Sequence, residues 1–130
     1  MTHCLHCVVK QLRDKLHADA VYYAGAEEGC GLAWVKSPAS YMFATGSINC
    51  GTNVMRHEFG HNMGLSHGGE GKNYAQGYTK VSSIMGGNSI PFYATPYRYT
   101  EDNGIPMGIE NQFDAVRAMN EFSATVAKYR

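Results

Sequence analysis

From about Cys4 to His17, apolar Leu5, Val8, Val9, Leu12 and Leu16 recur three or four positions apart, which predicts a helix. Ala20-Val21-Tyr22-Tyr23-Ala24 is a continuous apolar run closed by Gly25 and predicts a buried strand. Gly31-Leu32-Ala33-Trp34-Val35 predicts a second strand, ended by Ser37-Pro38, and Tyr41 to Asn49, with mixed alternation, a third. Thr52 or Asn53 can cap a helix that runs through Met63 and stops at Gly64. From Gly64 to about Gly108 the periodicity lapses into Gly, Asn, Ser, Tyr and Pro. An irregular stretch of that length is either functional or disordered. Tyr74, Tyr78, Phe92, Tyr93, Tyr97 and Tyr99 favour an ordered one. A closing helix is predicted over about Glu110 to Tyr129, where Phe113, Val116, Met119, Phe122, Val126 and Tyr129 form one stripe. The order helix, three strands, helix, irregular segment, helix describes an α+β fold with a short mixed sheet.

Composition narrows the partners. With 130 residues, 44% of them apolar, the chain suits a single domain over 1–130 with one core. Eleven Lys and Arg balance eleven Asp and Glu, so neither nucleic acid nor an anionic membrane is the expected partner. No run approaches the ~18 apolar residues a membrane span needs. The opening Met-Thr-His-Cys-Leu-His-Cys lacks the basic and apolar regions of a signal peptide. Four cysteines allow three pairings, and Cys30 with Cys50 is a plausible one because each borders a strand-like segment. Cys4 and Cys7 form a lone Cys-x-x-Cys, either two thiols on one helix face or a redox or metal pair; no second such motif completes a zinc ribbon.

The chemistry concentrates in His57-Glu58-Phe59-Gly60-His61-Asn62-Met63-Gly64-Leu65-Ser66-His67. On a helix, positions 57 and 61 lie one turn apart, so both imidazoles project from one face toward one zinc ion. Gly64 accepts the left-handed conformation that ends a helix and reverses the chain, so His67 can return as third ligand. A catalytic zinc needs three protein ligands and one open position, and this pattern supplies that number. Glu58, one residue round the helix from His57, reaches the open position without being a ligand. It is the expected general base, taking a proton from the attacking water and returning it to the leaving amine. His3, His6 and His17 lack such spacing and are expected to be ordinary histidines.

With these residues the sequence resembles the metzincin clan of zinc metallopeptidases, whose pattern HExxHxxGxxH is followed by a Met-turn. Ser83-Ile84-Met85-Gly86 is the Met-turn candidate, while Met107 sits in an unlike Ile-Pro-Met-Gly. Within the clan the chain is similar to reprolysins and bacterial peptidyl-Asp metalloendopeptidases, through Cys30-Gly31-Leu32-Ala33-Trp34, Ile90-Pro91-Phe92-Tyr93, Gly104-Ile105-Pro106-Met107-Gly108 and Asn120 to Arg130. The resemblance covers about residues 16–130. It implies a metzincin-like catalytic domain, a zinc-dependent endopeptidase acting on protein or peptide, secretion, and Met85 as a hydrophobic floor beneath the metal. It also implies an extended substrate pairing with an edge strand, assigned here to Tyr41–Ile48, and a specificity pocket walled by Phe92 and Tyr93. Arg98 would favour an acidic side chain there. The chain departs from the pattern at Gly68, where reprolysins carry Asp, and at Gly87, where astacins and serralysins carry a tyrosine ligand. Relatives place a further strand-helix-strand before a helix like 4–17, so the expectation is either a truncated sheet or a sequence that is a piece of a longer chain. The alternative reading is a non-catalytic zinc-binding interaction module derived from a metzincin, against which Glu58 counts, since a purely structural site has no use for a base.

Overall fold

The computed structural model describes residues 5–26, 28–71 and 73–130, with side chains from residue 7 onward. His3 and Cys4, and the side chain of His6, lie outside the described residues. Helix α1 (Leu5–Lys15) leads into β1 (Val21–Gly25), β2 (Gly31–Ala33) and β3 (Phe43–Ser47). Helix α2 (Val54–Asn62) follows, then a two-stranded ribbon of β4 (Thr95–Tyr99) and β5 (Pro106–Met107), and finally α3 (Ala115–Val126). This is a small mixed α+β fold. Short 3-10 turns at Ala39–Tyr41 and Ile48–Cys50 trim the third predicted strand at both ends.

The sheet order is β1-β3-β2, with β1 parallel and β2 antiparallel to β3. The assignment of Tyr41–Ile48 to an edge is therefore corrected: β3 is the central strand. Its register with β1 runs from Val21↔Phe43 to Gly25↔Ser47, and with β2 from Gly31↔Gly46 to Ala33↔Ala44. A strand paired on both sides has no backbone groups left for a third partner. The outer edge beside α2 belongs to β2.

The best-buried cluster lies behind α2, not under α1. Leu65, Ile84, Met85, Ala94, Ala115 and Ala118 form it, with Tyr74, Tyr78, Tyr93 and Met119 packed around them. In α1 the predicted stripe of Val8, Leu12 and Leu16 is exposed, and Arg13 is buried instead. Its guanidinium donates to the Ala39 carbonyl (2.7 Å) and Asp14 Oδ1, and Asp14 also pairs with Arg130 at 2.7 Å. A guanidinium with a hydrogen bond at each of its nitrogens can be buried at tolerable cost, so this network holds α1 and the C-terminus together.

The closing helix begins later than its stripe predicts. Residues 109–113 form a tight reversal, with an antiparallel bridge from Ile109 to Phe113 and Asn111 at φ 60°. Asp114 then caps the helix by accepting from the Arg117 amide. The buried residues of α3 are Ala115 and Ala118, because small side chains let the helix lie close to β4 and the core. The irregular segment supplies Leu65, Ile84, Met85 and Ala94 of that core, and its backbones approach closely as well. A Cβ at Gly77 would lie 2.2 Å from the Met85 carbonyl carbon and 2.4 Å from the Gly86 nitrogen. No side chain fits there without moving backbone. Gly77→Ala is expected to cost about 3 kcal/mol, at the upper end of overpacking penalties. Chemical denaturation that leaves the midpoint unmoved would refute this close packing.

Candidate metal centre

Helix α2 sets two of the three histidines. Asn53 occupies its N-cap position but makes no side-chain cap bond; its amide donates instead to the Asn88 carbonyl at 2.8 Å. The helix ends at Gly64, with φ 95°. The Gly64 amide bonds to the His61 carbonyl (2.8 Å) and the Leu65 amide to the Gly60 carbonyl (2.9 Å), the pair that defines a Schellman cap. Leu65 is then buried, and the chain turns back toward the helix face it has just left. Residues 66–68 are clamped from both sides: Ser66 donates to Ala75, and Gly68 to the Met85 carbonyl at 2.8 Å. His67 projects between these clamps.

The structure brings His57, His61 and His67 together. Their Nε2 atoms approach to 3.0 Å (57 to 67) and 3.2 Å (61 to 67), and among the described residues these three form a group with metal-ligand spacing. Tetrahedral nitrogens ~2.0–2.1 Å from one zinc lie about 3.3 Å from each other. The other ring nitrogens are all engaged. Nδ1 of His57 faces Asn88 Oδ1 at 3.0 Å, Nδ1 of His61 the Leu65 carbonyl at 2.9 Å, and Nδ1 of His67 a Glu70 carboxylate oxygen at 3.0 Å. Each of these partners is an acceptor, so each Nδ1 carries the proton and each Nε2 presents a lone pair. Three lone pairs converging on one point repel unless a cation lies among them, so the donor set fits a metal. Burial holds the pKa of both His57 and His61 below the ordinary histidine value, against the raising effect of the Asn88 and Leu65 bonds. Neutral rings are the metal-binding form.

Glu58 lines the same cleft, of about 290 Å³, together with the three histidines, Gly31 and Asn88. A Cβ on Gly31 would lie 2.6 Å from Glu58 Oε1, so the carboxylate rests against the β2 backbone. Burial raises its pKa, with the neighbouring His67 pulling the other way. The disulfide Cys30–Cys50 ties the start of β2 to the turn before α2. Closing a loop of this size stabilises a fold by about 3 kcal/mol. Cys7 is also disulfide-bonded.

Met85 is buried at φ 70°, and its sulfur lies 2.7 Å from where a Cβ on Gly60 would sit, on the helix turn between the first two histidines. Phe92, Tyr93 and Arg98 sit elsewhere. The Arg98 guanidinium stacks 3.5 Å from the Phe92 ring centre, and both line a separate cavity of about 920 Å³. Tyr93 packs toward α2, its hydroxyl donating to the Arg56 carbonyl and its pKa pushed up to about 12 by burial. None of the three lines the histidine cleft. Met107, in β5 of the ribbon, is buried, and His17 is exposed after α1. Residue-by-residue reading missed Asn88, Glu70 and Gly31. A polar residue three positions beyond Met85 or His67 was the one available signal.

Three convergent imidazoles on and after a helix, in a mixed α+β domain, are the frame of a metallopeptidase. The chain belongs to the reprolysin-like metallopeptidases of family M12B, whose family profile matches residues 3–68, just over half of the 130 residues. A peptidyl-Asp metalloendopeptidase of Pseudomonas aeruginosa is 25% identical over 167 aligned residues, spanning 94% of this chain and 28% of the relative. A chain in a solved structure described as a chaperone-substrate complex is similar with a TM-score of 0.85 and 36% identity, over 95% of this chain and 23% of that one. The present chain thus spans less than a third of either relative. Among the described residues no helix is long and apolar enough to cross a membrane.

Proposed function

We propose that this chain is a zinc-dependent endopeptidase, a metzincin-like catalytic domain over residues 1–130. His57, His61 and His67 hold the metal, Glu58 is the general base, and Met85 is the floor of the site. The observation that carries the reading is the convergence of three Nε2 lone pairs while each Nδ1 is bound to an acceptor. A zinc ion bound there supplies an acidified water and a polarised carbonyl. Glu58 removes the proton from the attacking water and delivers it to the leaving amine. Its raised pKa suits both halves of that task, since a carboxylate too acidic would hold the proton poorly.

The substrate backbone pairs with the outer edge of β2. The Ser47 amide bonds to the Cys30 carbonyl at 2.9 Å, so Cys30 and Leu32 face β3. By the alternation of an antiparallel ladder, Gly31 and Ala33 turn their backbone groups outward, beside Glu58. Strand addition would run an extended peptide across the cleft. Cleavage beside an acidic residue is left out of the proposal, because Arg98 is stacked on Phe92 away from the histidines. An extracellular setting belongs to the proposal and is supported by the disulfide, which persists in oxidising compartments.

The test is digestion of casein by the zinc-loaded protein, with and without a chelator. Cleavage should stop with the chelator and return when zinc is restored. Cleavage indifferent to the chelator would exclude the mechanism, and one tightly bound zinc with no cleavage would favour the non-catalytic binding module.

A further inference from the structure

We propose that Asn88 is a positioning residue that fixes the tautomer of His57 and couples it to the turn around Met85; this rests on the three-histidine metal reading. Asn88 Oδ1 receives two donors, the Met85 amide at 3.0 Å and His57 Nδ1–H at 3.0 Å. A backbone amide can only donate, so the amide of Met85 dictates which end of the Asn88 side chain faces it. The oxygen so placed can only accept, which assigns the proton of His57 to Nδ1. Nε2 is then left with its lone pair toward His67. A backbone group of the Met85 turn thereby sets the protonation of a ligand 28 residues earlier.

The backbone of Asn88 is itself held by two hydrogen bonds. Its amide donates to the Ser83 carbonyl at 3.0 Å, its carbonyl accepts from Asn53 at 2.8 Å, and its φ is 64°. The left-handed conformation suits Asn and Gly and strains most other residues. Asn53 begins the helix carrying His57 and His61, so the turn, the helix start and the first ligand are joined through one residue.

Two variants separate the acceptor from the backbone. Asn88→Gly tolerates the left-handed conformation and removes the acceptor; Asn88→Asp keeps an acceptor. Zinc affinity is measured by chelator competition, and the His57 tautomer by nitrogen-15 correlation spectra of the metal-free protein. Asn88→Gly should weaken zinc binding by about 10–100-fold, the usual effect of losing a group that orients a metal ligand. It should also populate the Nε2–H tautomer of His57. Asn88→Asp should keep the Nδ1–H form and stay within a few-fold of the parent affinity. Parent-like tautomer and affinity in Asn88→Gly would overturn the proposal, as would loss of the Nδ1–H form in Asn88→Asp. A parent protein that takes up no zinc would defeat the metalloenzyme reading, while the tautomer spectra would still decide the role of Asn88.

Discussion

Glu58→Ala is expected to lower turnover by about 10²–10⁴-fold, the range that general acid–base catalysis contributes, while the protein keeps its zinc. The two outcomes separate because Glu58 shares the cleft with the histidines without belonging to the group that has metal-ligand spacing. Removing it leaves three imidazoles and their acceptors unchanged. Stability should hold or rise, since burial disfavours the charged carboxylate and outweighs the opposing pull of His67. Glu58→Gln should lose turnover to the same degree, as it retains shape but cannot accept the proton. The measurements are casein hydrolysis rates, zinc content and melting temperature on one preparation of each variant. Rates within a few-fold of the parent would end the case for Glu58 as the base.

His67→Ala is expected to lose both metal and activity, because the two remaining imidazoles leave zinc under-coordinated. The metal-free fold should scarcely change. His67 is half-exposed and its one side-chain ion pair, with Glu70, is on the surface, where such pairs contribute about 0–1 kcal/mol. The zinc-loaded parent should exceed its own metal-free form by about 4 kcal/mol when free zinc is a thousandfold above the dissociation constant. His67→Ala should show no such gain. Elemental analysis with full zinc in this variant would remove His67 from the ligand set.

The elements legible in the sequence are those with short-range periodicity. The predicted α1, three strands and α2 recur within a few residues of their expected bounds, because each rests on apolar spacing, closed for β1, β2 and α2 by Gly25, Pro38 and Gly64. The turn at Gly64 was legible for the same reason: a left-handed residue is a local requirement, and the Schellman bonds follow from it. The β4–β5 ribbon was not, since Pro96 lies inside the first strand, where proline argues against pairing, and Pro106–Met107 is only two residues long. The late start of α3 was hidden because Phe113 continues the apolar stripe into a reversal that Asp114 ends.

The sequence by itself determined the spacing of three histidines and a glutamate, because one helical turn and one glycine reversal act over eleven residues. It also carried the family. Only the tertiary structure decided what surrounds them. The central place of β3, the free edge of β2, the Asn88 bridge to His57 and the separation of Arg98 from the cleft all join residues far apart in the chain. Such pairings depend on which backbones can approach closely, as at Gly77 against Met85, and no local pattern of residues encodes that distance.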